Sequence, residues 1–170
     1  MAPQLADSTP LTFRLASQAD VPALARLHAE PAARLDGDFG TGHWSTAATE
    51  VSVARGIRTS KVIVACDREG LAGTLRLATK KPWAIDPAFF ASVKKPLYLL
   101  DMAVAPARQR SGVGRRMLEE AEASARVWPA DALRLDAYDA PAGAGDFYAR
   151  CGFTEVGRAA FRGRPLIFFE

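Results

Sequence analysis

A chain of 170 residues is about one typical domain long and short of two, and 49% of it is apolar, enough for one buried core. Its 22 basic residues exceed the 19 acidic ones by only three, a surplus too small for a nucleic-acid-binding face. The longest apolar runs, Leu97 to Leu100 and Leu166 to Phe169, fall far below the roughly 18 consecutive residues of a membrane span.

Residues 1–10 are small and polar and lack the basic start and apolar stretch of a secretory signal; they predict a loose leader before one domain over 11–170. Leu11 to Leu15 predicts a strand. Ser17 with Asp20 three positions on reads as a capping box, and Pro22 suits the first turn of a helix running to about His28, with Val21, Leu24 and Leu27 on one stripe. The glycines between Pro31 and Gly42 predict a loop, and a second helix falls within Ser45 to Ile57. Val62 to Cys66, the turn Asp67-Arg68-Glu69-Gly70 and the alternating stretch Leu71 to Leu77 predict a hairpin. Pro82, Pro87 and Pro96 punctuate a long excursion with one short helix around Pro87 to Val93. Its aromatics, Trp83, Phe89 and Phe90, either line a cleft or form a cluster over the sheet.

Leu97 to Val104 is the most apolar strand, stopped by Pro106. Val113, Met117, Ala121 and Ala125 repeat every four residues and predict a helix from Gly112 to Arg126. Leu133 to Tyr138 alternates as a strand, a short helix carries Phe147, Tyr148 and Cys151, and Gly152 suits its C-terminal cap. Two strands, Phe153 to Arg158 and Leu166 to Phe169, close the chain. Cys66 and Cys151 read as packing residues, and so few cysteines make a reducing cytoplasm the expected setting. His28 and His43 have no neighbours at ligand spacing, so no metal site is expected.

The chemistry concentrates between Leu99 and Leu118, where a buried strand runs through a turn with two glycines into a helix. The first N–H groups of a helix have no internal partner and favour an anion. Gly112 and Gly114 let backbone approach a phosphate, and Arg108, Arg110, Arg115 and Arg116 flank the turn. The alternative is an ordinary strand-to-helix turn. Neither Gly-x-Gly-x-x-Gly after the first strand nor Gly-x-x-x-x-Gly-Lys-Ser/Thr is present. Asp101 interrupts an apolar strand and is either a partnered structural acid or a functional one.

Gln109-x-x-Gly112-x-Gly114 behind a strand ending Val-x-Pro resembles the pyrophosphate-binding segment of the GNAT-type N-acetyltransferases. The downstream strand Leu133 to Tyr138 and the ending Tyr148-x-x-x-Gly152-Phe153 resemble the same superfamily. So do the first strand, the first helix and the hairpin, and the likeness covers nearly the whole chain. Many members carry an asparagine seven residues before the tyrosine; here that position is Pro141.

The resemblance implies an α/β fold, a GNAT-like mixed, twisted sheet of six or seven strands flanked by about four helices. A cleft between the strand ending at Val104 and the one starting near Leu133 would take acetyl-coenzyme A as co-substrate. Met102, Ala103, Val104, Gln109, Arg110, Ser111, Gly112, Val113, Gly114 and Arg115 are the implied cofactor contacts. A main-chain N–H near Met102 to Val104 would hold the thioester carbonyl, where charge develops during acyl transfer. The acetyl group would pass directly to a primary amine, in keeping with the lack of a Ser-His-Asp or Cys-His arrangement. Asp101 is the candidate to assist amine deprotonation and Tyr148 the candidate to protonate the thiolate, against the reading of Tyr148 as a core aromatic. The partner is a small-molecule or peptidyl amine, for which the acids Asp36, Asp38 and Asp86 are suited; no nucleic acid or membrane is expected, and a homodimer is compatible. The other class is a non-catalytic coenzyme A or ligand-binding module of the same fold.

Overall fold

The alternating apolar segments assemble into one seven-stranded sheet: β1 (Thr12–Leu15), β2 (Lys61–Asp67), β3 (Gly70–Ala78), β4 (Pro96–Val104), β5 (Ala132–Tyr138), β6 (Glu155–Phe161) and β7 (Arg164–Phe169). Four helices accompany them: α1 (Val21–Phe39), α2 (Glu50–Thr59), α3 (Val113–Val127) and α4 (Gly145–Arg150). The computed structural model describes residues 10–46 and 48–170, so the expected leader lies outside the described residues except for Pro10. The strands run in the order β1-β2-β3-β4-β5-β7-β6. All neighbours are antiparallel except β4 and β5, which are parallel because α3 carries the chain back between them.

Strand alternation sends two sets of side chains to opposite faces. Leu75, Leu97, Leu99, Leu135 and Ala137 bury against Met117, Leu118 and Ala121 of α3. On the other face Leu24 and Leu27 of α1 pack on Val64. Arg134 is buried yet satisfied: its Nε donates to Glu170 at 2.7 Å and its guanidinium lies 4.7 Å from the centre of the Phe90 ring. A buried charge is tolerated only with such partners.

Two expected loops differ. The stretch after Pro31 remains helical as far as Phe39, and the break comes at Gly40, whose φ is +77°. Pro31 removes a single helical bond, and Leu27, Pro31, Leu35 and Phe39 extend the same apolar stripe, so the periodicity outweighs Pro31 and Gly37. Asp36 and Asp38 therefore sit on a helix, where Ser45 donates to Asp36 and Arg34 pairs with Asp38 at 3.8 Å. In the 80–96 excursion only a 3₁₀ turn, Pro87–Phe89, replaces the expected short helix, with Asp86 capping it by accepting from the Ala88 N–H at 2.9 Å. Phe89 and Phe90 cluster over the sheet against Phe168, at ring separations of 5.2 and 5.9 Å. Near the C-terminus β6 starts later and runs further than expected, to Phe161, so the link to β7 shrinks to a turn at Arg162 and Gly163. No helix among the described residues is long and apolar enough to cross a membrane.

Candidate active site

β4 is regular as far as Leu100, which pairs with Arg76, and regular again at Ala103, which pairs with Thr74. Leu75 alone thus stands opposite both Asp101 and Met102, a β-bulge, and Asp101 takes a left-handed φ of +51°. The bulge takes β4 backbone out of the ladder. On its other edge β4 loses its neighbour as well, because pairing with β5 ends at Tyr98 and Arg134. From there β5 continues against β7, and the two parallel strands separate. Main-chain groups of Met102, Ala103 and Val104 therefore border a gap in the sheet, where a carbonyl oxygen can meet a fixed N–H donor.

The strand then turns through a 3₁₀ turn, Pro106–Arg108, into α3. Arg116 is the first residue whose N–H closes onto the turn, bonding the Gly112 carbonyl at 3.1 Å. The N–H groups of Val113, Gly114 and Arg115 are left at the helix N-terminus, an arrangement that favours an anion. Gln109, Arg110, Ser111 and Gly112 are exposed around it. Gly112 has a φ of +88°, and no heavy atom lies within 4 Å of where its Cβ would stand, so space over the turn is open. Gly114 is glycine for another reason: a Cβ there would come within 3.0 Å of the Phe147 ring. The close packing of α3 against α4 thus gives Gly114 a structural reason beside the expected one.

The four arginines divide. Arg108 is engaged by Asp67 and by Glu69, the latter at 2.6 Å, and Arg116 lies over the Phe13 ring at 5.6 Å and reaches the Leu11 carbonyl. Arg110 is exposed beside the turn, and Arg115, exposed too, donates to the Arg150 carbonyl at 3.4 Å. A further guanidinium, which the turn's own sequence could not reveal, comes from α1: Arg34 donates to Gln109 Oε1 at 3.3 Å.

Behind the gap opens a cleft of about 1230 Å³, bordered by His28 and Leu35 of α1, Arg76, Asp101, Asp136 and Tyr148 among others. Tyr148 is buried, its ring packed against Phe147, Phe153 and Phe169, and its hydroxyl donates towards Met102 Sδ at 3.8 Å. Both readings of this residue thus have a physical basis: the ring is core, and the hydroxyl reaches the gap. Burial pushes its pKa well above the usual phenol value. Asp101, expected to be buried, is exposed on the cleft wall and accepts from Arg76 Nε at 2.8 Å; the bulge turns its side chain out of the strand's buried row. Trp83 is on the cleft border and 84% exposed.

Nothing in the sequence marks His28 and Asp136 as site residues, because a lone histidine on a helix and an acid in an alternating strand both look like ordinary surface positions. Each is half-buried in the cleft. Burial lowers the His28 pKa below its ordinary value, with Asp101 opposing and Arg76 adding to the shift, so the imidazole is neutral at pH 7. Burial raises that of Asp136, and the negative charge of Asp101 pushes the same way. No group of metal-ligating side chains occurs among the described residues.

Similar folds occur among solved structures. A GNAT-family acetyltransferase from Listeria monocytogenes is 21% identical with a TM-score of 0.70, 93% of each chain being covered. The ribosomal-protein-S18-alanine N-acetyltransferase from Escherichia coli is 18% identical with a TM-score of 0.67, covering 94% of this chain and 92% of that one. The PaiA N-acetyltransferase from Thermoplasma acidophilum, solved in complex with coenzyme A, is 15% identical with a TM-score of 0.70, covering 94% and 98%. At such identities the likeness is one of fold. No curated protein sequence matches. The profile described as "Acetyltransferase (GNAT) domain" matches residues 58–155, from the end of α2 to the start of β6 and across the gap and the turn before α3, and the chain belongs to the GNAT acetyltransferase family.

Proposed function

We propose that this protein transfers an acetyl group directly from acetyl-coenzyme A to a primary amine. The observation that carries the proposal is the adjacency of two features: the exposed N-terminus of α3 and, one turn away in sequence, the bulged end of β4 beside the gap. The residues present suit the co-substrate. The open space at Gly112, the free N–H groups and Arg110 and Arg115 fit a pyrophosphate, and the gap beside Met102, Ala103 and Val104 fits a thioester arm. Bound acetyl-coenzyme A supplies an activated acyl group that an amine can attack without an enzyme nucleophile.

Main-chain N–H groups at the bulge hold the carbonyl oxygen, and such a fixed donor stabilises the charge that develops there more than it stabilises the resting carbonyl. The Tyr148 hydroxyl, at the Met102 side of the gap, gives its hydrogen bond to the departing sulfur. Asp101 faces the amine's approach and attracts it as a cation, while Arg76 fixes the carboxylate's direction. Asp101→Asn keeps a residue type that tolerates the left-handed backbone and removes the charge. The KM for the amine is expected to rise several-fold near neutral pH and to recover as the pH approaches the amine's own pKa. Stability should fall by no more than about 1 kcal/mol, because an exposed ion pair contributes little. Steady-state kinetics across pH together with a melting curve checks both.

The activity itself is tested by following free thiol released from acetyl-coenzyme A with and without a panel of primary amines. Amine-dependent release supports transfer. Tight binding of coenzyme A with no release for any amine supports instead a binding module of the same fold.

A further inference from the structure

We infer that Asp136 of β5 is the group that takes the proton from the attacking amine. The inference rests on the acetyl-transfer reading above and assigns a residue to a step which that reading leaves open. Arg134 is the last residue of β5 paired to β4, and Leu135 turns into the core with α3. Asp136 is therefore the first side chain past the end of pairing on the face that carries Arg134 and Tyr138, and it borders the cleft where the strands part. No ion pair of the described residues includes it. Asp101, the other acid on the cleft wall, is both exposed and occupied by Arg76.

A proton acceptor must be ionised before it acts, reachable by the amine and basic enough to compete for its proton. An exposed carboxylate held by a guanidinium is a weak base. A half-buried one with no cation beside it is a stronger one, in agreement with the upward shift that burial gives Asp136. The charged and titratable groups around it are few. Arg134 on its own strand is paired with Glu170, and Arg76 of β3 with Asp101 of β4, whose negative charge also raises the Asp136 pKa. His28 of α1 is neutral, and Tyr148 of α4 and Tyr138 hold their protons because burial raises both phenols. Arg164 of β7 acts on Tyr138.

The protons balance. Asp136 takes one from the ammonium, freeing the nitrogen lone pair, and later yields it to water. The C–N bond forms as the C–S bond breaks. The second nitrogen proton, lost once the amide nitrogen has formed, matches the one that ends on the coenzyme sulfur.

The test is the pH dependence of kcat with acetyl-coenzyme A and an amine that the unaltered protein accepts. The unaltered enzyme should lose rate towards acid pH as Asp136 is protonated, at a pH above the ordinary carboxylate range. Asp136→Asn should lower kcat at neutral pH by about 100-fold and abolish that acid limb, while the Kd for acetyl-coenzyme A stays the same. Asp136→Glu should restore part of the rate and the limb, which a purely structural role would not require. An Asn variant that binds acetyl-coenzyme A and keeps both kcat and the limb overturns the inference. If the Asn variant fails to fold, a folded Glu variant without an acid limb overturns it equally. An unaltered protein that binds acetyl-coenzyme A and acetylates no amine overturns the transfer reading itself, and this inference with it.

Discussion

Tyr148→Phe is expected to bind acetyl-coenzyme A as tightly as the parent and to turn over roughly 10- to 1,000-fold more slowly, overlapping only the lower end of the about 100- to 10,000-fold that a positioned proton donor typically contributes. The substitution retains the ring that packs against Phe147, Phe153 and Phe169 and removes only the hydroxyl directed at Met102. Burial raises the phenol's pKa, so the proton stays on oxygen throughout the neutral range and the effect of the substitution should not vary between pH 6 and 9. The role is that of a hydrogen-bond donor to sulfur as negative charge builds there. Rates measured where chemistry is limiting decide the matter. A Phe variant as fast as the parent leaves Tyr148 a packing residue.

Gly112→Asn is expected to raise the Kd for acetyl-coenzyme A by about 10- to 100-fold while moving the melting temperature little. Two or three charge-assisted hydrogen bonds from the α3 N-terminus contribute on the order of 1.5–3 kcal/mol each, and partial displacement of a phosphate loses a fraction of that. Asn is the side chain best able to accept a left-handed φ, and the space around the missing Cβ is empty, so folding has little reason to suffer. Valine at the same position is a poorer probe. Its branched Cβ at a φ of +88° strains the backbone by about 1–2 kcal/mol, so loss of binding would be mixed with loss of fold. Calorimetry on the folded Asn variant measures the binding term alone, and an unchanged Kd removes the pyrophosphate from this turn.

Much of this architecture is legible in the chain because local pattern and burial agree. The apolar runs of β2 and β4, buried on both faces, the alternation of β3 and β5, and the four-residue repeat of α3 all match their burial, and their observed limits fall within about two residues of the pattern. Between Pro31 and Phe39 the two kinds of signal conflict. Pro31 and Gly37 argue against a helix, whereas Leu35 and Phe39 continue its stripe, Leu35 half-buried on the cleft and Phe39 edge-on to Trp44 at 6.3 Å. The turn before α3 is equally readable as a structure, since its open N-terminus depends on backbone freedom at Gly112 and on neighbours in sequence. The cleft is not. Asp101 reads as buried because its strand is apolar, and only the one-residue bulge opposite Leu75 turns its carboxylate out to Arg76, 25 positions away. Asp136 lies in a strand whose alternation makes it a solvent-facing residue, and it is half-buried because it borders the cleft where β5 parts from β4. Such placement depends on where two strands stop pairing, which no local pattern encodes.

The proposed transfer at the gap between β4 and β5 is direct, with no acetyl group resting on the enzyme. A single-turnover reaction of the protein with acetyl-coenzyme A and an accepted amine, quenched over time and weighed by intact-mass spectrometry, tests it most directly. Under direct transfer the amine gains one acetyl group as coenzyme A is released, while the protein's mass is unchanged at every time point. An acetylated protein that forms and decays at the rate at which the amide appears would contradict it.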